Sequence, residues 1–250
     1  MSIINSYDES DEIVKPEVFA NGLMQLPEIA IVCFKYEIYD ILKNRENIVE
    51  YSDALVCGEH IKIFKTVYGN KEIAIYRSVI GSAGTVSMME ELKARGVKKF
   101  VFFGSCGELT NDLPKGAFII PTEAYRDEGT SYHYLPASDF IKVETAKKLS
   151  ETFEKNNIKF VNTKIWTTDA FYRETVGKMN KRVEDGCEVV DMECSAIMAM
   201  AKKRGIQAYQ FLYTDDTLAS EEWEIKTLGD DRTTMIEKCL DIALKVAEEI

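Results

Sequence analysis

Proline is scarce, with 5 in 250 residues, and the only histidines are His60 and His133. No Pro- or Gly-rich stretch divides the chain, so one folded unit is the economical reading. The six cysteines, Cys33, Cys57, Cys106, Cys187, Cys194 and Cys239, contain no Cys-x-x-Cys pair. With so few histidines, that spacing argues against a structural zinc site and for reduced thiols. Positive charge is also in deficit, 31 Lys and Arg against 42 Asp and Glu, a net −11. Nucleic acid and anionic membrane both need a concentrated basic patch, so neither is an expected partner. No apolar run approaches the length of a membrane span, and the polar opening does not read as a signal segment. A cytoplasmic protein is expected.

What the chain does have is a core. Hydrophobic residues make up 46% of it, ample for one large domain. Residues 1–26 are polar and acidic, with Asp8, Glu9, Asp11 and Glu12, and read as an extension that is disordered or pinned on the surface. Residues 27–250 form the domain, in which apolar strand-like runs alternate with helical patterns. Ile29–Phe34 is the first core strand, and Ile61–Tyr68 and Glu72–Arg77 flank Gly69-Asn70 as a hairpin. Gly81-Ser82-Ala83-Gly84 opens a helix and offers amide groups to an anion. The acidic segment Ser220–Glu224 is either a flap or a solvated loop, and Thr233–Glu249 shows a helix with one apolar face.

Three stretches carry chemistry. In Glu188–Leu218 a short apolar run ends at Val190, and small and thioether side chains follow at helical spacing to Arg204-Gly205. Ala208–Tyr213 is then a second buried strand, giving a β-α-β unit with parallel strands expected. Glu193 falls where strand becomes helix and Asp215 just past the next strand, the edge where open α/β sheets hold ligands. The plain alternatives are a dipole-stabilised first-turn acid and a loop acid. In the second stretch, Gly104-Ser105-Cys106-Gly107 follows the strand Lys99–Phe103, where amides and a serine hydroxyl suit an oxyanion, or simply make a turn. The third places Phe171, Tyr172 and Arg173 beyond the strand Val161–Trp166, with core packing as the alternative for Phe171.

Val190-Asp191-Met192-Glu193-Cys194-Ser195-Ala196 resembles the Met-Glu signature of the nucleoside phosphorylase and nucleosidase superfamily, and Thr214-Asp215 the Ser-Asp of its purine-specific members. Gly104-Ser105-Cys106-Gly107 is similar to the phosphate loop of that family. The resemblance implies a single-domain three-layer α/β/α fold around a central mixed, partly barrel-like twisted sheet. It implies cleavage of a purine nucleoside or uridine by inorganic phosphate as co-substrate, with no other cofactor and no metal, in a homo-oligomer, dimer or hexamer. Carried onto this chain, Glu193 would bind the ribose hydroxyls and Met192 pack beneath the sugar. Asp215 would protonate the base, its pKa raised by burial and by Asp216. Phe171 would stack on the base with Tyr172 as its neighbour, and Arg173 would be a base or phosphate contact. His133, in Gly129-Thr130-Ser131-Tyr132-His133, matches a segment of the uridine branch, so base preference stays open.

Two phosphate-binding arginines of the family are missing, one from the loop Cys33-Phe34-Lys35-Tyr36-Glu37 and one from the position of Phe102. Ser105 and Gly104 keep their places. Arg126, and behind it Arg77, are the candidates to replace the lost guanidinium groups, with Lys35 a lesser one. The same loss leaves open attack by water, with Glu37 near the place of an activating acid, or a nucleoside-binding protein without catalysis. His60 is a residue that a neighbouring subunit would bring to the site.

Overall fold

In the computed structural model, residues 2–56, 58–114, 117–219, 224–225 and 232–250 are described. The expected flap at residues 220–224 lies outside them except for its last residue, as does Gly116 at the start of an expected strand.

Among the described residues, eleven strands form a single mixed sheet. Strand β1 (Ile29–Cys33) is buried at every position, as an inner strand covered on both faces must be. It pairs in parallel with β4 (Lys71–Arg77) on one side and β5 (Lys99–Glu108) on the other. The antiparallel meander β2 (Ile48–Val56), β3 (Glu59–Tyr68) and β4 extends that side. On the other, β5 meets β9 (Cys187–Asp191), which meets β8 (Phe160–Thr168), then β6 (Phe118–Asp127), then β10 (Gln207–Thr217). Because β10 also pairs with β5, these five strands close on themselves, giving the partly barrel-like sheet. Short strands β7 (Phe140–Lys142) and β11 (Glu224–Ile225) add to β6 and β10.

One local expectation fails. The strands flanking the central helix are not paired parallel neighbours: β10 runs parallel to β5, whereas β9 runs antiparallel to the last residues of β5. A closing barrel curls its strands round, so two strands separated by a helix reach a third from its two edges, here both at Gly107 and Glu108 of β5.

Helices cover the sheet: α1 (Pro16–Ala20), α2 (Ile38–Lys43), α3 (Ser82–Ala94), α4 (Ser131–Tyr134), α5 (Ala146–Lys155), α6 (Val176–Glu184), α7 (Cys194–Arg204) and α8 (Arg232–Glu249). Helix α7 is buried from Cys194 through Ala201, and its small side chains let it lie close against the sheet. Its end matches the sequence reading, with Gly205 left-handed at φ 64°. In α8, Ile236, Leu240, Ala243, Leu244 and Ala247 are buried, each large one contributing about 1.5–3 kcal/mol of apolar transfer. The N-terminal residues are pinned: α1 packs on α3, Arg95 donates to the Met24 carbonyl, and Arg204 pairs with Glu12 at 2.9 Å.

Candidate active site

A cleft of about 1090 Å³ opens at the ends of β1, β5, β9 and β10. Its lining brings together Lys35, Ser105, Cys106, Gly107, Phe171, Tyr172, Glu174, Met192, Glu193 and Asp216. Mostly apolar walls with a few convergent polar groups are the usual make-up of a small-molecule site.

The sugar-binding candidate sits on a rigid corner. Asp191 closes β9 and accepts from the Cys194 amide at 2.9 Å, capping α7, and from Thr167 Oγ1 at 2.8 Å and Gln210 Nε2 at 3.2 Å. Glu193 is then held at the helix start, where its Oε1 accepts from the Gly81 amide at 2.7 Å. Gly81 has φ 100°, a conformation that other residues rarely adopt, so the α3 turn can bring that amide here. Ser82 Oγ donates to the Met192 carbonyl at 2.8 Å and locks the two helix starts together. The glycine turn before α3 thus serves a carboxylate of the chain itself. Burial raises both acids above their ordinary values, and for Glu193 the charge of Asp191 adds to the effect. A protonated Glu193 both donates and accepts, which suits a diol.

The second acid is placed differently from expectation. The register between β10 and β5 slips between Thr214 and Asp216, which makes Asp215 the extra residue of a β-bulge. A bulge re-aims the side chains around it. Asp216 accordingly lines the cleft, while Asp215 accepts from Lys35 Nζ at 3.2 Å. Asp215, the expected proton donor, therefore accepts from an ammonium group and is not among the residues that line the cleft. Lys35 itself does line the cleft.

Both replacement arginines are corrected. Arg126 is 3% exposed, and its guanidinium donates to Ser131 Oγ, Ser138 Oγ and the carbonyls of Leu135 and Pro136. It holds the loop after β6 together and does not line the cleft. Arg77 is buried at the end of β4 beneath Tyr36, its Cζ 3.9 Å from the ring centroid, and is likewise absent from the lining. Gly104 contributes space: a Cβ there would lie 2.9 Å from Phe34 Cδ2, so its bare backbone seats the Phe34 ring and Ser105 alone faces the cleft. His133 and Arg173 are exposed and off the lining. Glu37 pairs with Arg232 at 4.0 Å and His60 with Asp53 at 3.7 Å, both away from it.

Phe171 and Tyr172 do share the cleft, on a single helical turn, Phe171–Arg173, with ring centroids 3.8 Å apart. Sequence reasoning missed Glu174, the acid that follows that turn. Burial and the charge of Asp216 push its pKa up to about 7, with Lys178 opposing. Its signal was available: an acid three residues beyond an expected aromatic platform.

Fold and site thus describe an α/β protein with a partly closed mixed sheet and an acid-rich cleft at its strand ends. The profile of the phosphorylase superfamily matches residues 28–248, and the chain belongs to that family. Among curated proteins it is similar to the DeoD-type purine nucleoside phosphorylases of Bacillus cereus and Bacillus cytotoxicus. Each is 25% identical over 188 residues, 74% of this chain and 79% of the relative. Purine nucleoside phosphorylase from Toxoplasma gondii, solved with immucillin-H, superposes with TM-score 0.74 at 23% identity, over 89% of this chain and 90% of that one. Uridine phosphorylase from Vibrio fischeri gives the same TM-score and identity, over 90% and 92%.

Proposed function

We propose that the protein is a nucleoside phosphorylase, which breaks the N-glycosidic bond with inorganic phosphate to give a free base and pentose 1-phosphate. The observation that carries this reading is Glu193, buried at a helix start and lining one cleft with Met192, Phe171 and Tyr172. Glu193 grips the ribose hydroxyls, Met192 packs beneath the ring, and the two aromatics flank the base. The bond loosens before the nucleophile is fully joined, so positive charge grows on the sugar; an anion below it and fixed hydroxyl contacts stabilise that charge. Ser105 supplies a hydroxyl donor and Lys35 the charge for phosphate, with Asp215 holding Lys35 in place. The curated relatives favour a purine nucleoside as substrate. No metal or organic cofactor enters this reading, and assembly as a homo-oligomer is part of it.

One observation favours a second reading, attack by water. Among the described residues that line the cleft, Lys35 is the cation, against the acids Glu174, Asp191, Glu193 and Asp216. A phosphate dianion enters such a site less readily than a neutral molecule. The assay that decides is a panel of purine and pyrimidine nucleosides in phosphate and in phosphate-free buffer. Pentose 1-phosphate formed only with phosphate supports phosphorolysis, and free pentose formed equally in both buffers refutes it.

A further inference from the structure

Given a nucleoside-cleaving cleft, on which this inference rests, something must meet the negative charge on the departing base. Family resemblance put that duty on Asp215, but the bulge in β10 turns Asp215 to Lys35, whose Nζ lies 3.2 Å away. The cleft's remaining acids have different surroundings. Asp191 is spent on capping α7 and on Thr167 and Gln210, and Glu193 is tied to the Gly81 amide on the sugar wall. Glu174 stands apart from these. It follows directly on the turn that carries Phe171 and Tyr172, is half-buried, and lines the cleft together with that aromatic pair. The flat rings mark where a base would lie, so the carboxyl beside them meets the edge of that base.

We propose that Glu174 is the proton donor to the leaving base, with Asp216 of β10 a second carboxyl lining the same cleft. The charges that act on it are those of Asp216 on β10 and Lys178 on α6, itself paired with Asp127 at 2.9 Å, and Asp191, Glu193 and Lys35 line the same cleft. An acid with a pKa of about 7 is well matched to proton transfer at neutral pH. In the step, the C1′–N bond breaks with its electron pair going to the base. The Glu174 O–H bond breaks as a base N–H bond forms, and the oxygen of the nucleophile joins C1′. The proton that the nucleophile gives up returns to Glu174 through solvent, so the balance holds for phosphate and for water.

The test compares the wild-type chain, Glu174→Gln and Asp215→Asn on two substrates: an ordinary purine nucleoside, and a 7-methylated purine nucleoside whose base departs neutral without a proton. Thermal unfolding of each variant is recorded beside the kinetics. For Glu174→Gln, kcat on the ordinary nucleoside should fall roughly 10²–10⁴-fold, and on the methylated one less than about tenfold. Wild-type kcat/KM should drop as pH rises through about 7, and that limb should be absent from Glu174→Gln. Equal losses on both substrates overturn the assignment, as does a leaving-group-dependent loss in Asp215→Asn in place of Glu174→Gln. A wild-type protein that cleaves no nucleoside with phosphate or with water refutes the proposed function and takes this assignment with it.

Discussion

Two corners deliver acids to the same cleft, and they are built on opposite plans. At the end of β9 the chain turns directly into α7, and Asp191, Thr167, Gly81 and Ser82 fix every step of the turn with hydrogen bonds. At the end of β10 one extra residue is inserted, and the side chain that reaches the cleft is Asp216 in place of Asp215. In the proposed function the first corner presents its acid to a neutral diol, a task that suits a rigid support. The second faces the only lining cation among the described residues, Lys35, and its charges must rearrange when an anion or a base arrives. Pre-organisation at one end and exchangeable partners at the other is the lesson of the contrast.

Of the two corners, the rigid one should give the larger effect on turnover. Glu193→Ala removes a hydrogen bond to the sugar and should lower kcat/KM about 100-fold, measured by steady-state kinetics on a nucleoside. At the other end, Lys35→Met should raise the KM for phosphate about tenfold and leave the nucleoside KM nearly unchanged. An unchanged phosphate KM would mean that the anion is held elsewhere. Arg126→Ala should not alter phosphate dependence at all. It should cost about 2–4 kcal/mol of stability in urea unfolding, because four acceptors and a buried loop lose their common donor.

A subtler difference appears with pH. The pKa of Glu193 is raised on folding, so its contribution to stability is present below the ordinary glutamate value of 4.5 and lost as pH climbs through the raised value. The unliganded protein should therefore melt at lower temperature at pH 8 than at pH 5. Glu193→Gln should flatten that slope, and an unchanged slope would place the titrating group elsewhere.

Much of the scaffold was legible along the chain because it rests on local chemistry. The apolar run of β1, the left-handed Gly205 after α7 and the apolar face of α8 each announce themselves by spacing alone. Glu193 was legible for the same reason: a strand end followed at once by a helix puts its first acid at the mouth of the sheet. Arg126 and Arg77 misled because a charged side chain near a strand end looks alike in sequence whether it faces solvent, a ligand or its own loop. Their hydrogen bonds and ring contacts came from residues whose positions only folding defines.

The order of residues by itself determined the α/β class and the strand and helix at Glu193, since each follows from periodicity and from neighbours within a few positions, whereas the aromatic at Phe171 was expected from family resemblance. Tertiary structure alone decided that Asp216 and Glu174 face the cleft while Asp215 turns to Lys35. A bulge exists only relative to a partner strand, and the direction of a side chain beside it is set by that pairing.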